Sequence, residues 1–169
     1  QWEGHRGPIT SVVFSADGRY MATTAKDPIV KLWETETGVN VGVFKGHRMD
    51  VNAVAFDPEG NVLATGGWDN TFKLWEVRNR EWADGNYNWQ GKLKGTAVGH
   101  TNEVRALRYS PDGRFLFTAS YDGTARQWDA HTGREVARFE GHQGPILSLD
   151  VDALGKLLLT GGEDGTMRT

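Results

Sequence analysis

The chain has 169 residues, of which 38% are apolar and 24% charged, with a formal net charge of -3 and no cysteine. That composition describes a globular polypeptide without the basic excess that phosphate neutralisation needs, and it removes disulfides, thiolate metal sites and cysteine nucleophiles. No apolar run approaches the roughly 18 residues needed to span a bilayer, no signal-peptide pattern opens the chain, and the first residue is Gln1 rather than Met.

Four Gly-His pairs, Gly4-His5, Gly46-His47, Gly99-His100 and Gly141-His142, each open a unit. His5, His47 and His100 lead to Trp33, Trp75 and Trp128, each 28 residues on, and a period of about 42 residues decides the architecture. The units run over 4–45, 46–98 (with an insertion at about 78–91), 99–140 and 141–169, within one domain spanning 1–169, and the chain stops one residue before the Trp that His142 calls for.

Within each unit the apolar pattern has period 2 and breaks at turn residues, which predicts short antiparallel strands. The first strand is expected at Ile9 to Phe14, Val51 to Phe56, Val104 to Tyr109 and Ile146 to Val151. Turns such as Asp57-Pro58-Glu59-Gly60 and Ser110-Pro111-Asp112-Gly113 follow, with Gly where φ turns positive. A second strand is expected at Tyr20 to Thr23, Val62 to Thr65, Phe115 to Thr118 and Leu157 to Thr160. The third carries the Trp, in Ile29 to Glu34, Thr71 to Glu76 and Thr124 to Asp129, and begins again at Thr166. A fourth leads into the next Gly-His, with Trp2, Phe44 and Phe139 at equivalent places and Ala97 where an aromatic is expected. Units of four strands that bury each other's faces predict an all-β fold, a partial β-propeller of four-stranded antiparallel blades.

The Gly-His pairs, with Trp128-Asp129 and its weakened forms Trp33-Glu34 and Trp75-Glu76, resemble the signature of the WD-repeat β-propellers. In that family the last strand of one sequence repeat is the outer strand of the neighbouring blade. An Asp also lies six residues before each Trp, and a Thr four before that Asp. The resemblance implies hydrogen-bonded tetrads: His5/Thr23/Asp27/Trp33, His47/Thr65/Asp69/Trp75 and His100/Thr118/Asp122/Trp128, with His142/Thr160/Asp164 lacking its Trp. A His, a hydroxyl and an Asp also invite a hydrolase reading. A catalytic triad occurs once per site, whereas this constellation recurs in every unit, so the structural role is favoured.

The same count exhausts the histidines, since only His131 lies outside a Gly-His pair, and leaves no His cluster for a metal or a general base. No phosphate-binding Gly-Lys loop or nucleophile elbow is present. The chain is therefore expected not to be an enzyme and to need no cofactor. Asp84-Gly85-Asn86-Tyr87-Asn88 briefly looks like a calcium loop, but Trp89 stands at the sixth position and Gly95 at the twelfth.

In WD-repeat propellers, partners often meet the face made by the Gly-His loop and the turn before the tetrad Asp. By position this gives Lys26, Trp68, Tyr121 and Glu163 before each Asp, and Pro8, Asp50, Glu103 and Pro145 three beyond each His. Trp68 and Tyr121 stand out, because an aromatic in a turn offers contact area at low entropy loss. On the opposite face, the interval from Trp75 to Gly99 is 24 residues where the other complete units have 13, and the extra loop carries Trp82, Tyr87 and Trp89. These rings pack on one another or meet a partner. Arg108 and Asp150 occupy equivalent places on successive first strands and are expected to pair across two blades.

The functional expectation is a noncatalytic protein-protein interaction scaffold, a segment of a larger propeller whose remaining blades come from the parent chain. The alternative partner for closure is a second copy of this chain, giving a ring of eight blades. The alternative function is a regulatory or substrate-recruiting propeller of a multidomain enzyme, such as a kinase or protease, with its catalytic domain elsewhere. Partners are expected to be proteins, not nucleic acid or membrane, and the compartment is cytoplasmic by default.

Overall fold

The computed structural model describes residues 4–77 and 89–169, with side chains omitted at 89 and 90. Four sheets account for every strand among the described residues, and none of those residues is helical. The first sheet holds β1 (Ile9–Phe14), β2 (Tyr20–Ala25), β3 (Asp27–Glu34) and β4 (Asn40–Lys45). The second holds β5 (Val51–Phe56), β6 (Val62–Gly67), β7 (Thr71–Glu76) and, after the two-residue β8 (Trp89–Gln90), β9 (Lys92–Val98). The third holds β10 (Val104–Tyr109), β11 (Phe115–Ser120), β12 (Ala125–Asp129) and β13 (Glu135–Phe139). The last has three strands, β14 (Ile146–Val151), β15 (Leu158–Gly162) and β16 (Met167–Arg168).

The inner strands β1, β5, β10 and β14 lie side by side in that order, so the sheets are successive blades of a propeller that is not closed. Each hairpin from first to second strand turns through a Gly with positive φ, at Gly18, Gly60, Gly113 and Gly155, where a Cβ would be strained. The expected first strands match residue for residue. The second strands run further than their apolar pattern, because Thr24-Ala25, Gly66-Gly67 and Ala119-Ser120 are small yet stay in the backbone ladder.

The cores lie between blades, not within them. Val30, Leu32, Val41 and Phe44 of the first blade pack with Val51, Val54, Phe56 and Trp75 of the second. Phe72 and Leu74 meet Leu107, Leu116 and Trp128, and Phe117, Ala119 and Ala125 meet Ile146 and Leu149. Burial of one repeat position therefore depends on a neighbour. Val51, Val54 and Phe56 are at most 9% exposed, whereas their counterparts Ile9, Val12 and Phe14 are 52, 50 and 56% exposed. At the other end a cleft of 590 Å³ opens between the third and fourth blades, with Phe139, His142, Leu158 and Arg168 in its walls.

One feature was absent from the sequence-based expectation. β8 pairs in parallel with β4, Gly42 opposite Trp89 and Val43 opposite Gln90, and adds a fifth strand to the outer edge of the first blade. Gly91 N–H then donates to Val43 O at 3.2 Å. The end of the inserted segment thus covers an edge that would otherwise offer free backbone groups. Trp82 and Tyr87 lie outside the described residues, and of Trp89 only the backbone position is described.

Candidate functional site

The Gly-His loop and the turn between second and third strands bring His, Thr, Asp and Trp together in each complete blade. In the second blade His47 Nε2 is 2.8 Å from Thr65 Oγ1, His47 Nδ1 is 3.0 Å from Asp69 Oδ2, and Trp75 Nε1 donates to Thr65 Oγ1 at 2.9 Å. The first blade repeats this with His5 to Thr23 at 2.8 Å, His5 to Asp27 at 3.0 Å and Trp33 to Thr23 at 2.7 Å. The third does so with His100 to Thr118 at 2.7 Å, His100 to Asp122 at 2.8 Å and Trp128 to Thr118 at 2.8 Å.

The chemistry of the groups orders the protons along this chain. The indole can only donate, so the Thr oxygen accepts from Trp and its own O–H is free to donate to Nε2. Nδ1–H then donates to the carboxylate, which also receives a backbone N–H from Arg6, Arg48 or Thr101. Thr65 and Thr118 are fully buried, so their hydroxyls have two protein partners and no path to a substrate. Desolvation alone would raise the carboxyl of Asp69, but hydrogen bonds from His47 and Thr71 outweigh it and hold the group well below the usual carboxylate range. Asp122 is depressed in the same way by His100 and Thr124 against its desolvation. Among the described residues no cluster of three or more His, Cys, Asp or Glu could hold a metal ion.

The fourth unit keeps the polar part. His142 Nε2 lies 3.0 Å from Thr160 Oγ1 and Nδ1 lies 3.0 Å from Asp164 Oδ2, with Gln143 N–H donating to the same carboxylate oxygen at 2.8 Å. Backbone bonds from Gln143 and Thr166 are the main reason that Asp164 is also held low.

The residues that vary from blade to blade line the rim around these tetrads. Lys26 and Glu163 are exposed, while Trp68, Tyr121, Asp50 and Glu103 are half-buried. Trp68 Nε1 donates to Asn52 Oδ1 at 2.9 Å, and Arg105 lies over the Tyr121 ring at 5.8 Å from its centroid. The turn geometry repeats as well: Trp68, Tyr121 and Glu163 each donate their backbone N–H to the residue three beyond a His, namely Asp50, Glu103 and Pro145. Sequence reading missed a cationic series two residues before each Trp, at Lys31, Lys73 and Arg126. Arg126 is 4% exposed and bridges Glu135 at 2.7 Å and Asp122 at 3.6 Å. Its recurrence at fixed spacing was the signal. Arg108 and Asp150 do come together, at 3.5 Å, with both heads exposed.

Blades of four antiparallel strands, each closed by a buried His–Thr–Trp–Asp chain, define a propeller-repeat protein whose polar constellations hold its own structure. Residues 1–34, 38–76, 91–129 and 133–169 match the family described as WD domain, G-beta repeat, and the chain belongs to that WD40 family. The last three of these stretches begin with β4, β9 and β13, each hydrogen-bonded into the preceding blade, so sequence repeat and blade are offset by one strand. The repeats of this family are those of protein-interaction scaffolds.

The chain is 37% identical over 70 residues to eukaryotic translation initiation factor 3 subunit I of Neurospora crassa, covering 41% of this chain and 20% of that protein. It is 26% identical to protein HIR1 of Candida albicans, over 97% of this chain and 14% of that protein. It is also 28% identical to the human angio-associated migratory cell protein, over 96% of this chain and 38% of that protein. The chain thus spans well under half the length of these relatives.

Proposed function

We propose that the chain is a noncatalytic scaffold, a segment of a larger WD-repeat propeller that presents rim residues to partner proteins. One contrast carries this reading. The groups with catalytic chemistry recur in each unit and are consumed in holding the blades, while the rim residues Lys26, Trp68, Tyr121, Glu163, Asp50 and Glu103 differ between blades and reach solvent in part or in full. A rigid frame with variable loops suits recognition. The likeness to a protein named as a subunit of an initiation factor supports assembly as the output.

The half-exposed apolar residues of β1 and the open cleft beside the fourth blade call for covering surfaces, and further blades of the same protein are the occupants we assign. Light scattering after size exclusion tests this: a discrete dimer would replace the assignment with a ring of two chains. The rim is tested by Trp68→Ala combined with Tyr121→Ala. Affinity for a partner recovered by cross-linking is expected to fall at least tenfold, as for interface hot spots; unchanged affinity with an intact fold would remove the reading.

A further inference from the structure

Every inner strand begins with the same irregularity. The ladder steps from Ile9 to Ser11, Val51 to Ala53, Val104 to Ala106 and Ile146 to Ser148 while the partner strand advances by one residue. Each step is a β-bulge that leaves one extra residue outside the pairing, and such bulges re-aim side chains. The extra residues are Thr10, Asn52, Arg105 and Leu147, each five beyond its His. All four line one groove of 440 Å³ along the inner strands, together with Lys26 and Arg108.

The lining contains three cations and no carboxylate. Two bulge residues are committed to the fold: Thr10 Oγ1 donates to Val51 O at 2.5 Å, and Asn52 receives Trp68 and donates to Glu103 Oε2 at 3.4 Å. The other two face outward. Leu147 is 41% exposed, and Arg105 is held on the Tyr121 ring, a stacking that orients the guanidinium while leaving its donors available. Lys26 is exposed, and Arg108 pairs with the solvated Asp150 at 3.5 Å while its Nη1 donates to Leu107 O at 3.1 Å.

Resting on the reading of this rim as a partner-binding face, we propose that the groove takes an extended acidic segment of a partner protein, with carboxylates on Lys26 and Arg105 and an apolar side chain on Leu147. A planar, aromatic-backed Arg matches a carboxylate with two parallel hydrogen bonds. A nucleic-acid backbone fits less well. Its closely spaced charges would meet Asp50, Glu103 and Glu163 on the same rim in a chain of net charge -3, whereas a peptide can space its carboxylates between them.

The test is fluorescence anisotropy on the whole 169-residue chain with a short labelled peptide of alternating Glu and Leu, its Gln analogue, and a labelled oligothymidine. The Glu peptide is expected to bind roughly tenfold tighter than the Gln analogue and to weaken as salt rises. Lys26→Ala and Arg105→Gln should each weaken it several-fold, Glu103→Gln should tighten it, and Arg134→Gln in the exposed turn between β12 and β13 should change nothing. Circular dichroism establishes the fold of each variant, and the salt dependence of the unaltered chain needs no variant. No binding, equal binding of both peptides, or tighter binding of oligothymidine would overturn the proposal. If both peptides bind equally and both are lost in Trp68→Ala with Tyr121→Ala, the rim remains a partner face and only its acidic preference falls.

Discussion

In the second blade every residue of β5 is buried, whereas in the fourth β14 buries only Ile146 and Leu149. The polar geometry hardly registers this difference. His to Thr is 2.8 Å in one and 3.0 Å in the other, and His Nδ1 to Asp is 3.0 Å in both. The His–Thr–Asp arrangement is therefore set by the Gly-His loop and the Asp turn, through backbone donors such as Arg48 and Gln143. What the second blade adds is Trp75, 1% exposed and edge-on to Phe44 of the preceding blade at 5.6 Å. Trp joins blade to blade; the other three residues shape the loop.

The largest test of that division is Trp75→Ala. It removes a fully buried indole at an interface and should cost about 3–5 kcal/mol by urea unfolding. If loop and interface are separate, NMR of His47 will still show the Nδ1–H tautomer in the folded variant. Loss of that tautomer would mean that Trp holds the loop together as well.

Thr65→Val comes next. It leaves Trp75 Nε1 and His47 Nε2 without their common partner inside a sealed core, at about 1–3 kcal/mol for each group. Thr160→Val deprives His142 and the more distant Arg168 carbonyl, at 3.4 Å, both beside an open cleft that water can enter, and should cost no more than about 1 kcal/mol. Equal costs in the two blades would refute the role given to burial.

Acid sharpens the same comparison. Asp69 and Asp122 are depressed in the folded state, so they stabilise the fold above their unfolded pKa of about 4, and this stabilisation is lost as pH falls from there through the folded values. Chemical denaturation as a function of pH should show Asp69→Asn less stable than the parent at pH 7, with the gap closing towards pH 2. A gap independent of pH would mean that the charge of Asp69 contributes nothing.

The tetrads were legible because a polar residue repeated at fixed spacing is visible without structure, and the strands because apolar alternation with a turn is a local signal. Two features were not legible, for physical reasons. The bulge residues Thr10, Asn52, Arg105 and Leu147 share no residue type that would mark them, and only the partner strand reveals the extra residue. The pairing of β8 with β4 joins two residues to a strand more than 40 positions away, and a two-residue strand has no period to read. Gly91 beside it held a clue, since a Cβ there would overlap the Phe44 ring. Gly91→Ala should release β8 at about 1 kcal/mol, the worth of one or two backbone hydrogen bonds, seen as faster amide exchange at Gly91; unchanged exchange would mean that the close approach is not required.

The smallest effect is expected at Arg108 and Asp150, the ion pair that links the third and fourth inner strands. Their side chains are 53 and 76% exposed, so water competes for both heads and the separation of 3.5 Å brings little net energy. Arg126 is the useful contrast, because its side chain and that of Asp122 are each 5% exposed, so removing the cation leaves a buried carboxylate short of a donor, while Glu135 at 34% exposure can turn to water. Arg108→Gln should therefore change unfolding free energy by about 0–1 kcal/mol and Arg126→Gln by clearly more. If Arg108→Gln proved the costlier of the two, the inner strands would be held by charge between blades, and the dependence of blade stability on packing between blades would have to be given up.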